Sequence, residues 1–384
     1  MRILHTSDWH VGRTFHGQDL LGDQRQVLAA LAELVRRHAV DVVAVPGDLY
    51  DRAVPSVDAV GVLTAALGEI RAAGAQIVAT AGNHDSAPRL GAFADFLAAG
   101  GLHLRTAAAG VGEPVLIDDE HGPVAFYPLP YLEPEVVRRG FGLQGRASHQ
   151  AVMTAAMDRV RTDLSGRPGA RSVVLAHAFV VGAVTGGSER SIAVGGVESV
   201  TADVFDGVDY VALGHLHRPQ TVTDRIRYCG SPLAYSFNEA GQSKGALLIE
   251  LDAAGATTAT PLPLPVPRPM AEIGGTLAEV LAGYQELVDH YLSVRLTDPV
   301  RPLEAMRRLK AKFPYALTLQ WEPPAGAGDP DVESFGAAVA AAASDAELIA
   351  DFLDDCRGVG PSERETAFVD QAIGLARAGA AVGR

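Results

Sequence analysis

The stretch that most constrains this chain is Val42-Val43-Ala44-Val45-Pro46-Gly47-Asp48, a largely β-branched apolar run that stops at a Gly-Asp pair. Such a run reads as a strand, and its abrupt stop delivers a carboxylate to the strand's end. Four other apolar runs stop in the same way, at Asp8-Trp9-His10, Asn83-His84, His177 and His215-Leu216-His217. A single sheet can bring all five ends together, with Asp48 as the bridge between two metal ions.

At 384 residues and 48% hydrophobic content the chain has room for two or three globular domains with a sizeable core. The first residues run straight into a strand-like Ile3-Leu4-His5-Thr6-Ser7 with no export signal, so the cytoplasm is the expected compartment. No apolar run approaches the roughly 18 residues of a membrane span. Cys229 and Cys356 alone give neither a disulfide framework nor a cysteine-ligated zinc site. Lys plus Arg number 32 against 46 for Asp plus Glu, a net charge of −14, which argues against a simple DNA-binding module. It does not argue against a nuclease, because bound divalent cations supply positive charge that a sequence count omits.

In chain order, residues 3–7 form a strand, and Asp8 and His10 follow at i, i+2, which in extended backbone puts both on one face and within reach of one metal. Val27, Leu28, Leu31, Leu34 and Val35 predict a helix over 22–38, and Asp41 opens the strand to Asp48. Another helix from Pro55-Ser56 to about Ala73 precedes the strand Gln76 to Thr80 and then Gly82-Asn83-His84-Asp85. This alternation predicts a parallel-rich sheet with ligands beyond its carboxyl ends. Residues 102–146 read as short strands forming a second, antiparallel layer. A helix near 148–164 leads to the strand Ser172–Ala176 and His177, and a glycine-rich loop follows, where Ser188, Glu189 and Arg190 can face substrate. Asp209–Leu213 is the fifth delivering strand, with Gly214 making the turn before His215 and His217. Arg225–Cys229 and Ala246–Leu251 read as closing strands.

Pro261 to Pro269 is proline-rich and reads as a stiff linker. The expected division is therefore a body over 1–262, a linker and β-α-β cap over 263–330, and C-terminal helices over 331–384. Arg301, Arg307, Arg308, Lys310 and Lys312 make the cap the most basic part of an acidic chain. Ser344-Asp345-Ala346-Glu347 and Ser362-Glu363-Arg364-Glu365 are capping-box sequences, each opening a helix with an apolar face.

Each motif alone has an ordinary explanation: Gly-Asp is usually a turn or cap, and a histidine after a strand is usually hydrogen-bonded. His5, mid-strand, takes that ordinary reading. Five pieces at five strand ends, all oxygen and imidazole donors suited to Mn²⁺, Fe²⁺ or Zn²⁺, do not. The set Asp8-Trp9-His10, Gly47-Asp48-Leu49-Tyr50-Asp51-Arg52, Gly82-Asn83-His84-Asp85 and Gly214-His215-Leu216-His217-Arg218-Pro219-Gln220 resembles the calcineurin-like metallophosphoesterases, and Lys244-Gly245 after Gly230-Ser231-Pro232 fits as well.

The resemblance implies an α/β fold with a two-layered β-sheet core flanked by helices, a small α+β cap and a C-terminal helical segment. It implies that Asp8, His10, Asp48 and His217 hold one ion while Asp48, Asn83, His177 and His215 hold the other, usually Mn²⁺, with Fe²⁺ or Zn²⁺ as alternatives. Two such ions activate water for in-line attack on phosphorus. His84 is similar to the family's catalytic histidine, with Asp85 to orient its ring. Arg13, His16, Arg52 and Arg89 are candidate substrate contacts. Within the family the likeness implies a 3′–5′ double-strand exonuclease and single-strand or hairpin endonuclease. Its partners would be DNA, an SbcC-like coiled-coil ATPase of the ABC class and a second copy of itself, joined through helices near 56–73 and 87–99. The chain has no Walker A sequence of its own. The alternative is a small-nucleotide phosphodiesterase or phosphomonoesterase with the same core.

Overall fold

The computed structural model describes residues 1–184, 189, 199–324, 344–357 and 360–382. The chain divides into two units: Met1–Ile273 with Tyr284–Val294 and Leu309–Leu319, and Gly274–Gly283 with Arg295–Arg308 and Gln320–Arg384.

The five delivering strands do not share a single sheet. One six-stranded sheet has the order Thr257–Pro263, Gly245–Leu251, Arg2–His5, Val42–Pro46, Gln76–Thr80, Leu102–Arg105. Its last four strands run parallel, with Ile3 opposite Val42 and Val43 opposite Ile77. The other six-stranded sheet has the order Gln220–Thr221, Ile226–Tyr228, Tyr210–Gly214, Arg171–His177, Gly122–Leu129, Val115–Asp119. The expected antiparallel second layer is therefore mixed: its four central strands are parallel, and only the two edges are antiparallel.

Alternation along each strand builds three cores. Ile3, Val42, Ala44 and Val78 point inward to meet Phe126, Val173, Leu175 and Tyr210 of the other sheet. Leu4, Val43, Val45 and Ile77 point outward under the helices Leu21–His38 and Val57–Ala72. Val174, Ala176, Val211 and Leu213 do the same under the helix His149–Ser165. Covered on both faces, the Val42–Pro46 strand is buried throughout, which is why its sequence is unbroken by polar residues. Ser56 and Ser148 cap two of these helices, accepting from Ala59 N and Ala151 N.

The prolines at 261 and 263 do not begin a linker. They belong to the edge strand Thr257–Pro263, where Gly245 pairs with Pro263 and Leu247 with Pro261. An edge position tolerates them because a missing N–H there faces away from the ladder. Beyond it, Met270–Gly275, Tyr291–Leu296 and Ala316–Trp321 form a three-stranded sheet, with helices Leu277–Ala282 and Ala305–Lys312 in the connections. The first strand and helix of this set are additions to the expected β-α-β. In the C-terminal segment, helices Asp345–Arg357 and Glu363–Val382 begin at the expected caps, and Ser362 and Glu365 form a reciprocal box. Among the described residues no helix is long and apolar enough to cross a membrane.

Candidate metal centre

The carboxyl ends of five strands from the two sheets converge. The chain does not leave the first strand in extended form: Asp8 has φ 55° and His10 φ 45°, so their side chains share a site through left-handed backbone rather than by i, i+2 alternation. Asp48, at φ 50°, is left-handed as well. Such conformations cost a non-glycine residue about 1 kcal/mol each, and here neighbouring backbone holds them: Asp8 N donates to Gly47 O, His10 N to Asp48 O and Val11 N to Leu49 O. The turn after Tyr210–Gly214 is made by His215 itself, at φ 101°. Gly214 is needed for a different reason: a Cβ there would collide with the Pro46 carbonyl oxygen of the other sheet.

The structure brings all seven expected ligands together. His10 Nε2 lies 3.1 Å from His217 Nε2 and 3.6 Å from Asp48 Oδ2. His177 Nε2 lies 3.3 Å from the same Asp48 oxygen and 2.9 Å from Asn83 Oδ1. Asp8 accepts the His215 N–H at 3.0 Å and the Ser7 hydroxyl at 2.6 Å. The His215 ring stands 5.2 Å from that of His177, centroid to centroid. Donor atoms of Asp8, His10 and His217, of Asp8, Asp48 and His177, and of His10, Asp48 and His84 each lie within 4.8 Å of one another. Asp8, His10, Asp48, His177, His215 and His217 are all buried.

Burial lifts the Asp8 carboxyl above the ordinary carboxylate range, against the pull of His177 and His217. Burial would raise Asp48 too, but His177 and His10 hold it well below that range. Burial also opposes charge on His177, yet Asp48 carries it up to about 9. Burial drives His10 well below its usual value and His215 down to about 3. Ligation needs neutral imidazole beside ionised carboxylate, so a cation bound here would take the place of the proton that Asp48 keeps on His177.

The donor set fits a divalent metal ion. His177 Nδ1 faces the Pro46 carbonyl at 3.0 Å and gives its hydrogen there, so Nε2 is left facing two acceptor oxygens, those of Asp48 and Asn83. The Nε2 atoms of His10 and His217 face each other in the same way. Imidazole nitrogens and carboxylate and amide oxygens thus converge on one buried spot, a donor set of the kind that suits a divalent cation.

His84 is one-tenth exposed; its backbone N–H donates to Asp48 Oδ1 at 2.9 Å, and its Nδ1 faces the Asp51 carbonyl at 2.8 Å. Asp85 does not orient that ring. Its carboxylate accepts the backbone N–H groups of Leu49, Tyr50 and Gly82, bracing the two loops against each other. Burial, then the nearby Asp48, raises Asp85 to about 7. Arg13 lies over the Tyr235 ring and pairs with Asp51 at 3.3 Å. His16 is exposed beside Phe15 and Phe237. Arg52, also exposed, reaches Asp51 at 3.7 Å. Arg89 lines a separate apolar cavity of about 710 Å³ with Leu63, Phe93 and Phe96. Glu189 accepts the His217 N–H at 3.1 Å, whereas Ser188 and Arg190 lie outside the described residues. His5 takes its ordinary role, bonded to Tyr210 Oη and Leu213 O between the sheets.

Two supports escaped sequence reading. Gln24, buried in the first helix, donates to the carbonyls of Trp9 and His10 and accepts from Gly12 N. Tyr235 donates to Trp9 O at 2.6 Å, and its ring meets those of His10 and His217 edge-on. The only local signal is a polar residue on the apolar stripe of a helix.

A sequence profile described as calcineurin-like phosphoesterase matches residues 1–219. The chain belongs to the calcineurin-like phosphoesterase family. A phosphoesterase of this family is a metal-dependent hydrolase, and the buried donors above include groups able to hold a divalent metal ion. A second profile, the SbcD C-terminal type described as the type 5 capsule protein repressor C-terminal domain, matches residues 266–356. The two together make the phosphoesterase an SbcD-like chain. Among solved structures it is similar to GAP50, the anchor in the inner membrane complex of Plasmodium. That match has 12% identity and a TM-score of 0.39, and it covers 85% of this chain and 98% of that one. It is also similar to a dimetal phosphatase from Danio rerio, with 13% identity and a TM-score of 0.37 over 65% of this chain and 92% of that one. Likenesses this low add nothing to the assignment, which rests on the sequence match.

Proposed function

We propose that this phosphoesterase is the nuclease subunit of a DNA end-processing complex in the cytoplasm, hydrolysing phosphodiesters as a 3′–5′ double-strand exonuclease and a single-strand or hairpin endonuclease. One observation carries the reading: a buried dimetal-type donor cluster stands on the same chain as a C-terminal region matching the SbcD type. Asp8, His10, Asp48 and His217 would hold one ion, and Asp48, Asn83, His177 and His215 the other, with Mn²⁺ as the proposed working metal. Bound there, the ions supply positive charge to the phosphate and make water a competent nucleophile near neutral pH. Asp48 is the shared ligand, and the His84 N–H on one of its oxygens fixes the carboxylate plane. With Nδ1 of His84 given to the Asp51 carbonyl, Nε2 is the atom left to pass a proton to the leaving oxygen.

The division at 262 and 330 is proposed as functional. Arg307, Arg308 and Lys310 are exposed on the helix whose Ala305 and Leu309 are buried, and Arg301 is exposed just before it, a basic face suited to a DNA backbone. Phe352, Phe368 and Leu375 are exposed on the C-terminal helices and suit docking on a coiled-coil ATPase of the SbcC type. Val57, Phe93 and Phe96 are 88%, 68% and 83% exposed, apolar side chains that a second copy of the chain could cover.

The test is cleavage of an end-labelled duplex and of bis-p-nitrophenyl phosphate side by side, with Mn²⁺, with chelator and with His84→Ala. Manganese-dependent loss of the duplex that the variant abolishes is the expected result. Turnover of the small diester with an intact duplex, unchanged when the ATPase is added, refutes the nuclease reading in favour of a small-nucleotide phosphodiesterase.

A further inference from the structure

A buried ion pair stands beside the metal centre without belonging to it. Lys244 is 3% exposed and Glu239 1%. The Lys244 ammonium lies 2.5 Å from Glu239 Oε2 and donates to the His217 carbonyl at 2.8 Å and the Ser231 hydroxyl at 3.2 Å. The other Glu239 oxygen, Oε1, lies 3.6 Å from Nδ1 of His217, the ring nitrogen opposite the one that faces His10. Local sequence explains the pairing: Glu239 ends a single helical turn capped by Ser236, and Gly241 at φ 75° folds the chain back so that Lys244 meets it.

A buried ion pair is a poor device for stability, because desolvating two charges offsets most of their attraction and an apolar pair packs as well. What an apolar pair lacks is direction. Here the ammonium and the carboxylate address the same residue from two sides, one at the main-chain carbonyl of His217 and the other at its ring. Their placement also spans the sandwich. Lys244 immediately precedes the strand Gly245–Leu251, which pairs with Arg2–His5 and so with the segment carrying Asp8 and His10. His217 follows Tyr210–Gly214 of the other sheet.

We infer that Glu239 and Lys244 are positioning residues for His217: they hold its ring with Nδ1 toward a carboxylate and Nε2 toward the metal, and so fix the distance between donors from the two sheets. This rests on the reading of His217 as a metal ligand. A carboxylate behind a ligating imidazole sets its tautomer and orientation, and loss of such a partner typically costs about 10–100-fold in metal affinity.

The test uses the full chain, stripped with chelator and titrated with Mn²⁺. Bound metal is counted by elemental analysis, and unfolding in urea is measured on the metal-free protein. Glu239→Gln, which keeps size and shape, is expected to weaken one of the two Mn²⁺ sites about 10–100-fold and leave the other unchanged. Lys244→Met is expected to lose both affinity and metal-free stability, since it strands a buried carboxylate. In the double variant stability returns and affinity does not. Wild-type affinity at both sites in Glu239→Gln, or recovery of affinity along with stability in the double variant, overturns the inference. His217→Ala separates the two readings. If it loses one ion while Glu239→Gln loses none, only the positioning role fails. If it keeps both ions, the ligand assignment fails and takes the positioning role with it.

Discussion

Gln24→Leu removes the side chain that ties the first helix to the loop bearing Asp8 and His10. Gln24 is 2% exposed and makes four bonds: Nε2 to Trp9 O at 3.2 Å, to His10 O at 2.7 Å and, weakly, to Tyr235 Oη at 3.5 Å, and Oε1 from Gly12 N at 2.9 Å. The losses are unequal. Trp9 O keeps the Tyr235 hydroxyl and His10 O keeps the Arg13 N–H, so each gives up only the net value of one bond, about 1 kcal/mol. Gly12 N–H loses its acceptor, at about 1–2 kcal/mol. The expected destabilisation is therefore about 3 kcal/mol, read as a lower urea midpoint at unchanged slope in chelator-treated protein. Because Asp8 and His10 hold left-handed conformations that the loop would otherwise relax, Mn²⁺ affinity falls as well, by about tenfold if about 1.4 kcal/mol of that strain is released. Gln24→Glu keeps an acceptor for Gly12 but offers no donor to the two carbonyls. A Gln24→Leu protein that unfolds within about 0.5 kcal/mol of wild type refutes the claim that this residue holds the loop.

Four further expectations can be checked. His84→Ala keeps two bound metal ions by elemental analysis and loses at least about 100-fold in turnover; loss of an ion would make His84 a ligand. Asp119 pairs with the buried Arg171 and the Met1 ammonium, and the Arg171 bonds hold its carboxyl well below the ordinary range. A depressed carboxylate stabilises above its unfolded value and stops doing so as pH falls. The stability gap between wild type and Asp119→Asn, about 3 kcal/mol at pH 7, should therefore narrow below about pH 4. Replacing Arg307, Arg308 and Lys310 with Glu weakens duplex binding and flattens its dependence on salt, measured by titration at several ionic strengths, while hydrolysis of the small diester stays unchanged. If the chain pairs with a second copy as proposed, Phe96→Glu is expected to sediment as a monomer where wild type sediments as a dimer, because the charge falls on exposed apolar surface beside Phe93.

The chemistry-bearing strand ends were legible because burial leaves a plain mark. Val42 to Val45 lie between two packed layers and cannot carry a polar residue, so the arrival of Gly47-Asp48 stands out. Which sheet each strand joins was not legible. Arg171–His177 and Val42–Pro46 are both buried parallel strands with the same kind of sequence, and only their long-range pairing separates them. Asp85 looked like a partner for His84 because the two are neighbours in sequence, but backbone direction aims its carboxylate at Leu49 and Tyr50. Pro261 and Pro263 looked like a break because proline excludes central strands, and the rule is silent about edges. Gln24 and Tyr235 act through carbonyls of Trp9 and His10 distant in sequence, contacts that leave no pattern in a single chain.

The strand Arg171–His177 is fixed at both tips. Its first residue is bolted by Asp119, which also grips the Met1 ammonium ahead of the first strand of the other sheet, and its last is bonded to the Pro46 carbonyl of that same sheet. Between the bolts lie six residue steps, about 20 Å of stiff backbone. A strut held this way carries displacement from one end to the other instead of absorbing it. Removal of the Asp119 carboxylate is therefore expected to loosen, at the far end, the footing of His177.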